Sequence, residues 1–170
     1  MQERKGVITF KGGPLTLIGP EIKVGDSAPN FKVLTNSLQE VTLDQFKGKT
    51  LILSVAPSLD TGVCSAQTHR FNDEASKLPS GVEILTISAD LPFAQSRFCG
   101  AENIKIQTLS DHREMSFGDA YGTHIKELRL EARALFVVGK DGKIKHVEYV
   151  KEATNHPDYD KALAAAKANA

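Results

Sequence analysis

The stretch LILSVAPSLDTGVCSAQTHRFNDEASKLPSGVEILTI, residues 51–87, decides the fold. Leu51–Val55 is short, apolar and followed by Pro57, which marks a buried strand. A helix is expected from about Gly62 to Leu78, with Asp60 or Thr61 as N-cap. Cys64, Phe71, Ala75 and Leu78 lie at offsets of 0, 7, 11 and 14, one face at the helical period. Cys64 therefore sits in the first turn, on the face that packs inward. Pro79-Ser80-Gly81 ends the helix, and Val82–Ile87 reads as a second buried strand. Such a strand–helix–strand unit is parallel with a right-handed crossover.

Working outward, Val7–Phe10 and Leu15–Ile18 flank Gly12-Gly13 and predict an N-terminal β-hairpin. Phe31–Leu34 and Val41–Leu43 are short strand or loop pieces. Pro92 opens a second helix that Gly100 closes, which puts Cys99 in its last turn. Ser110 or Asp111 caps a third helix ending near Gly122. Ala134–Val138, Asp141-Gly142 and Ile144–Val150 predict a hairpin with a type I′ turn. A last helix starts at Pro157, with Tyr159, Ala162, Leu163 and Ala166 as its apolar stripe. The expected class is α/β: a mixed central sheet flanked by helices, for which a thioredoxin-like fold is one candidate. With no repeat, linker or low-complexity tract, residues 1–170 read as one domain.

The 21 Lys+Arg balance 21 Asp+Glu. A clustered basic surface for nucleic acid or an anionic membrane is therefore not expected. Apolar runs such as Leu51–Ala56 and Ala134–Val138 are far short of the ~20 residues of a membrane span. Met1 to Lys5 are polar and charged, with no apolar stretch behind them, so a cytoplasmic location is expected. The two cysteines, Cys64 and Cys99, are too few for a disulfide scaffold. In a reducing compartment they are buried and inert, metal-bound or redox-active.

Position favours chemistry at Cys64. A sulfur at a helix N-terminus meets unpaired backbone N–H groups and the positive end of the helix dipole, a setting that favours a nucleophilic thiolate. Thr61, three residues earlier, supplies a hydroxyl that either caps the helix or bonds the sulfur or an incoming oxygen. Arg133 is out of place at the end of a strand that is apolar on both faces. It either reaches solvent or lies desolvated beside an anion such as a thiolate. Cys99, 35 positions after Cys64, makes no Cys-x-x-Cys motif, and a disulfide between them needs Cα atoms within roughly 7 Å. Phe46-Lys47-Gly48-Lys49-Thr50 ends like a phosphate-binding loop, but Leu43 stands where glycine is required and a strand follows. No zinc-ligand spacing is present, and none of His69, His112, His124, His146 and His156 is singled out as the partner of a cysteine hydrolase.

Pro57-Ser58-Leu59-Asp60-Thr61-Gly62-Val63-Cys64 resembles the Pro-x-x-x-Thr-x-x-Cys signature of the peroxiredoxins. Ala89–Ala101, with Asp90-Leu91-Pro92-Phe93 and Arg97-Phe98-Cys99, is similar to a run of one subfamily, the atypical two-cysteine thiol peroxidases of bacteria. Glu131-Ala132-Arg133-Ala134 matches the family's arginine position. The resemblance spans nearly the whole chain. It implies a thioredoxin fold, Cys64 as the peroxidatic and Cys99 as the resolving cysteine, and Thr61 and Arg133 completing the peroxide site. By the same resemblance Pro57 is expected to shield the sulfur from water. It further implies hydrogen peroxide and alkyl hydroperoxides as substrates, thioredoxin as reductant and a homodimer, without metal or cofactor. Gly62 stands where many relatives have Pro, and Ala56 where a larger apolar residue is common. Because Cys64 faces the sheet, its first turn, with or without the segment around Cys99, is expected to unravel when the two cysteines pair.

Overall fold

A computed structural model describes residues 1–170. At its centre lie β5 (Thr50–Val55) and β6 (Val82–Ser88), paired in parallel and joined through α1 (Gly62–Ala75). β7 (Gln107–Ser110) continues the parallel run beside β6, after α2 (Pro92–Glu102). Then β3 (Lys32–Leu34) and β4 (Glu40–Thr42) add antiparallel strands at that edge. On the other side β10 (Ala134–Val138) pairs antiparallel with β5, and β11 (Ile144–Tyr149) with β10. The seven-stranded order is β11-β10-β5-β6-β7-β3-β4.

The central strands are buried on both faces, which explains their continuous apolar sequence. Leu51, Leu53, Val55, Phe136 and Val138 pack on one face with Phe117 and Tyr121 of α3 (Ser116–Tyr121). Ile52, Leu135 and Val137 pack on the other with Phe71 of α1 and with Ala162, Leu163 and Ala166 of α4 (Tyr159–Ala168). Arg133 precedes Leu135 by two residues, so strand alternation aims it at the α1 and α4 side.

A second sheet is built by β1 (Glu3–Phe10), β2 (Gly13–Ile18), β8 (His124–Ile125) and β9 (Leu130–Glu131), in the order β1-β2-β8-β9. Ile8, Leu17, Ile125 and Ala132 form its core. The hairpin is stitched to the segment after β11: the Thr9 amide donates to the Lys151 carbonyl at 2.7 Å, and the Ala153 amide donates to the Thr9 carbonyl at 2.8 Å. The Glu152 carboxylate accepts from Thr9 Oγ1, the Gly12 amide and the Thr154 amide and hydroxyl. These donors hold the Glu152 carboxyl down at about 2, the Thr154 bonds contributing most. No helix is long and apolar enough to cross a membrane.

The structure corrects several local expectations. The third helix starts at Ser116, not after Ser110 or Asp111. Asp111 caps it from a distance, its carboxylate accepting from the Phe117 amide at 3.0 Å and the Gly118 amide at 2.8 Å. The turn between β10 and β11 is not type I′. Gly142 alone is left-handed (φ 75°), its amide closes onto Gly139 O at 2.9 Å, and the Gly139 amide donates to Lys143 O at 2.8 Å: a type I turn with a bulge at Gly142, followed by a separate register shift at Val137/Val138 that skips Lys145. The first helix stops at Ala75, because the Lys77 amide turns back to Glu74 O. The second runs past Gly100 to Glu102 and ends on left-handed Asn103 (φ 55°). The last starts at Tyr159, where the Asp158 side chain accepts from the Lys161 amide.

Candidate active site

Cys64 is fully buried in the first turn of α1. Its sulfur accepts from Arg133 Nη2 at 3.2 Å. Arg133, only 3% exposed, spends its other donors on fixed oxygens: Nη1 on Gln67 Oε1 at 2.9 Å and Nε on the Ala153 carbonyl at 3.0 Å. Gln67, one turn after Cys64, is itself pinned to β5, donating to Ser54 Oγ at 2.8 Å and to the Val55 carbonyl at 3.2 Å. The guanidinium is thus oriented by a helix and by the loop that the N-terminal hairpin buttresses. No carboxylate lies within 4 Å of Arg133. A buried guanidinium needs an anion, and among its hydrogen-bond partners only the Cys64 sulfur can become one. The solvent-reaching alternative for Arg133 is excluded.

Thr61 occupies the N-cap position in extended conformation but does not cap α1. Its hydroxyl reaches back to the Ser58 carbonyl at 3.0 Å, which also receives the Thr61 amide at 3.2 Å. The hydroxyl therefore closes the turn Ser58–Thr61 at the mouth of the site. Pro57, half-buried, starts this loop directly behind β5. Outside it a cleft of about 250 Å³ runs between α1 and α2, lined by Leu59, Thr61, Gly62, Ser65, Arg97 and Phe98. Burial raises the Tyr159 hydroxyl above its ordinary range against the pull of Arg133 and Arg70, so Tyr159 is a neutral neighbour.

Cys99 is elsewhere. It is half-buried near the end of α2, with Sγ 3.4 Å from Thr108 Oγ1 on β7. Both thiols are free. Arg133 stands at the start of β10 and Thr108 on β7, three strand positions apart in the sheet. At about 4.8 Å per strand, the backbones that anchor the partners of the two sulfurs are ~14 Å apart. The largest cavity, about 380 Å³, lies at the far end of the sheet around Phe46–Lys49 and Val138–Gly142. The strand β5 follows Lys49 there, as the sequence argument against a phosphate loop requires.

Residues 23–163 match the redoxin family. A thiol peroxidase of Bacillus subtilis (strain 168) is 65% identical over 162 residues, 95% of this chain and 96% of its own. The chain belongs to the thiol peroxidases of the redoxin family. A thiol peroxidase of Staphylococcus aureus (strain MRSA252) is 55% identical over 94% of this chain and 97% of its own. Among solved structures, a peroxiredoxin-like protein from Aquifex aeolicus superposes with a TM-score of 0.91 at 38% identity, covering 97% of this chain and 98% of its own. A thiol peroxidase from Chromobacterium violaceum superposes at 0.79 with 19% identity, a likeness of fold. The fold is thioredoxin-like and the protein a peroxidase of peroxiredoxin type.

Sequence reasoning passed over one residue of this thiol peroxidase's site, Gln67. Its offset of three from Cys64 places it on the same inward face of α1, where a polar side chain has to find partners. That signal was readable. The Ala153 carbonyl had no signal, since a backbone group carries no residue identity.

Proposed function

We propose that this thiol peroxidase reduces hydrogen peroxide and alkyl hydroperoxides through Cys64, and that Cys99 resolves the product. The Cys64 thiolate attacks the distal oxygen of R–O–O–H. The S–O bond forms as the O–O bond breaks, leaving Cys64–SOH and, after protonation of the leaving oxygen, R–OH. Arg133 and the amides of the first turn of α1 face the charge that develops, and Thr61 and Pro57 shape the mouth. The Cys99 thiol then displaces hydroxide from Cys64–SOH, giving a Cys64–Cys99 disulfide and water. The chain at α1 or α2 must rearrange for this to happen. Thioredoxin, a dithiol, returns both cysteines to thiols by exchange and carries away the two electrons' worth of oxidation as its own disulfide. A dithiol reductant and two unpaired cysteines fit the reducing cytoplasm. The assembly is a homodimer, for which Leu91 and Phe93, exposed at the start of α2, offer apolar surface.

The observation that carries this reading is the buried Arg133 guanidinium bonded to the Cys64 sulfur, with no carboxylate to neutralise it. The test is a peroxide titration of the fully reduced chain, reading free thiols and intact mass under non-reducing conditions. One equivalent should consume both thiols and leave an intramolecular Cys64–Cys99 link. Survival of both thiols in excess peroxide would overturn the reading.

A further inference from the structure

Asp90 follows Ser88, the last residue of β6, and precedes Pro92, the first of α2. Its carboxylate faces the other way, towards the loop that leads into Cys64. Oδ1 accepts from Ser58 Oγ at 2.7 Å, and Oδ2 accepts from the Leu59 amide at 2.8 Å and Ser88 Oγ at 2.8 Å. No cation stands within 4 Å of it. Three donors to one ionised carboxylate are charge-assisted bonds, stronger than neutral ones.

Each end of this contact continues into a cysteine segment. On one side Ser58 holds Thr61 by its carbonyl and accepts from the Asp60 amide at 3.3 Å, so the turn that starts α1 hangs from Ser58. On the other side Ser88 Oγ accepts from Gln95 Nε2 at 3.0 Å, and Gln95 also donates to the Leu109 carbonyl at 2.9 Å. Gln95 stands one turn before Cys99 in α2. Ser110 Oγ donates to the Asp90 carbonyl, fixing the backbone from β7. A single carboxylate therefore joins the loop before Cys64 to the helix that carries Cys99, while the two sulfurs stand apart.

We infer that Asp90 is a positioning residue that clasps the Cys64 loop in its peroxide-facing arrangement and must let go before Cys99 can reach Cys64. The inference rests on the roles proposed above for the two cysteines. A clasp stabilises the starting arrangement of the resolving step without taking part in either reaction. Its loss moves the two steps in opposite directions. Peroxide attack slows, because Thr61 and the first turn of α1 lose their anchor. Condensation of Cys64–SOH with Cys99 quickens, because less must be broken first. A residue that merely supports the fold slows both.

The experiment is rapid-quench intact-mass analysis of Asp90→Asn and Ser58→Ala beside the parent chain. Sulfenic acid formation is read in a Cys99→Ser background and disulfide formation in the Cys99 chain. Asn keeps the shape but replaces one acceptor by an amide, Ser58→Ala removes the Oδ1 arm together with the longer Asp60 amide bond, and the melting temperature of each variant checks that it is folded. The expectation is peroxide attack slower by a few-fold and disulfide formation faster by about tenfold for Asp90→Asn, the size of one charge-assisted bond. Ser58→Ala changes both in the same sense by less. More peroxide is then needed to drive Cys64 to sulfinic acid, because the sulfenic acid is shorter-lived. Both rates unchanged, or both slowed, in the variants while the parent forms its disulfide overturns the clasp alone. No Cys64–Cys99 link in the parent overturns the clasp together with the two-cysteine reading.

Discussion

The two ends of the chain's sulfur chemistry are built oppositely. Cys64 lies in a closed pocket where Arg133 is held by three separate partners, and the glutamine that orients it is tied to the sheet. Cys99 sits half-exposed near the end of a helix, against the small apolar cluster of Leu59, Phe98 and Ile104, with a threonine hydroxyl as its one hydrogen-bond contact, and four residues later the backbone turns left-handed at Asn103. The first arrangement suits a group that reacts in place, since electrostatic help works only from fixed positions. The second suits a group that has to travel. Rigidity and looseness are thus divided between the two cysteines rather than shared.

That division breaks most visibly if the cysteines are exchanged for serine one at a time. Cys64→Ser should abolish peroxide reduction altogether. Cys99→Ser should consume one equivalent of peroxide at the parent rate and then stop, failing to turn over with thioredoxin. Continuous turnover by Cys99→Ser in a coupled assay would remove Cys99 from the resolving role.

Next in size is Arg133→Ala. It withdraws the cation from the sulfur and leaves Gln67 Oε1 and the Ala153 carbonyl buried without a donor. Single-turnover peroxide reaction should slow by about 10²–10³-fold, the usual loss for one preorganised charge stabiliser. A smaller effect, below about threefold, would mean the guanidinium serves packing rather than the reacting sulfur. Gln67→Leu sharpens the same point, because Arg133 stays but loses its orientation. About a tenfold slowing is expected, corresponding to ~1.4 kcal/mol, with Cys99 reactivity toward an alkylating reagent unchanged.

The mildest change concerns the support behind Arg133. Glu131, two residues before it, is completely buried, with Oε2 bonded to the Thr123 hydroxyl. Desolvation, then the adjacent Asp111 carboxylate, pushes the Glu131 carboxyl well above the ordinary range. The folded chain keeps it protonated where the unfolded chain has ionised it. Its contribution to stability is therefore complete below the ordinary carboxyl range and is lost as pH rises from there through the raised folded value. Glu131→Gln should melt a few degrees higher than the parent at neutral pH, and the gap should close toward pH 4. Peroxide kinetics should stay within about twofold. Thermal scans at the two pH values check the sign.

How much of this was legible depended on whether a feature is local. The β5–α1–β6 unit carries its strands, its helix face and the place of Cys64 within 39 residues, and periodicity exposes all of it. The strands β7, β8 and β9 carry no pattern. Gln107–Ser110 is mostly polar at a sheet position set by its neighbours, and the two-residue strands His124–Ile125 and Leu130–Glu131 exist only through their partners. Asp111 misled for a related reason: its carboxylate skips past the next turn to cap α3 six and seven residues on. At the site, Cys64 was marked by its junction. Alternation gave the face of Arg133 but not the group it meets 69 residues away. The family motif closed that gap where local physics left two answers standing.

The stitching of the first strand to the last loop has a consequence for the order in which the protein comes into being. The carbonyl that fixes Arg133 belongs to Ala153, and that loop is held by Thr9 and Glu152 across more than 140 residues. A growing polypeptide delivers Cys64 well before Arg133 and its Ala153 bracket, which follow 69 and 89 residues later. Until then the thiol is an ordinary buried-to-be cysteine with no cation beside it. A chain segment that stops short of this loop holds Cys64 without the bracketed guanidinium that faces it in the fold, so the pocket around the sulfur is a product of long-range assembly rather than of the β5–α1–β6 unit.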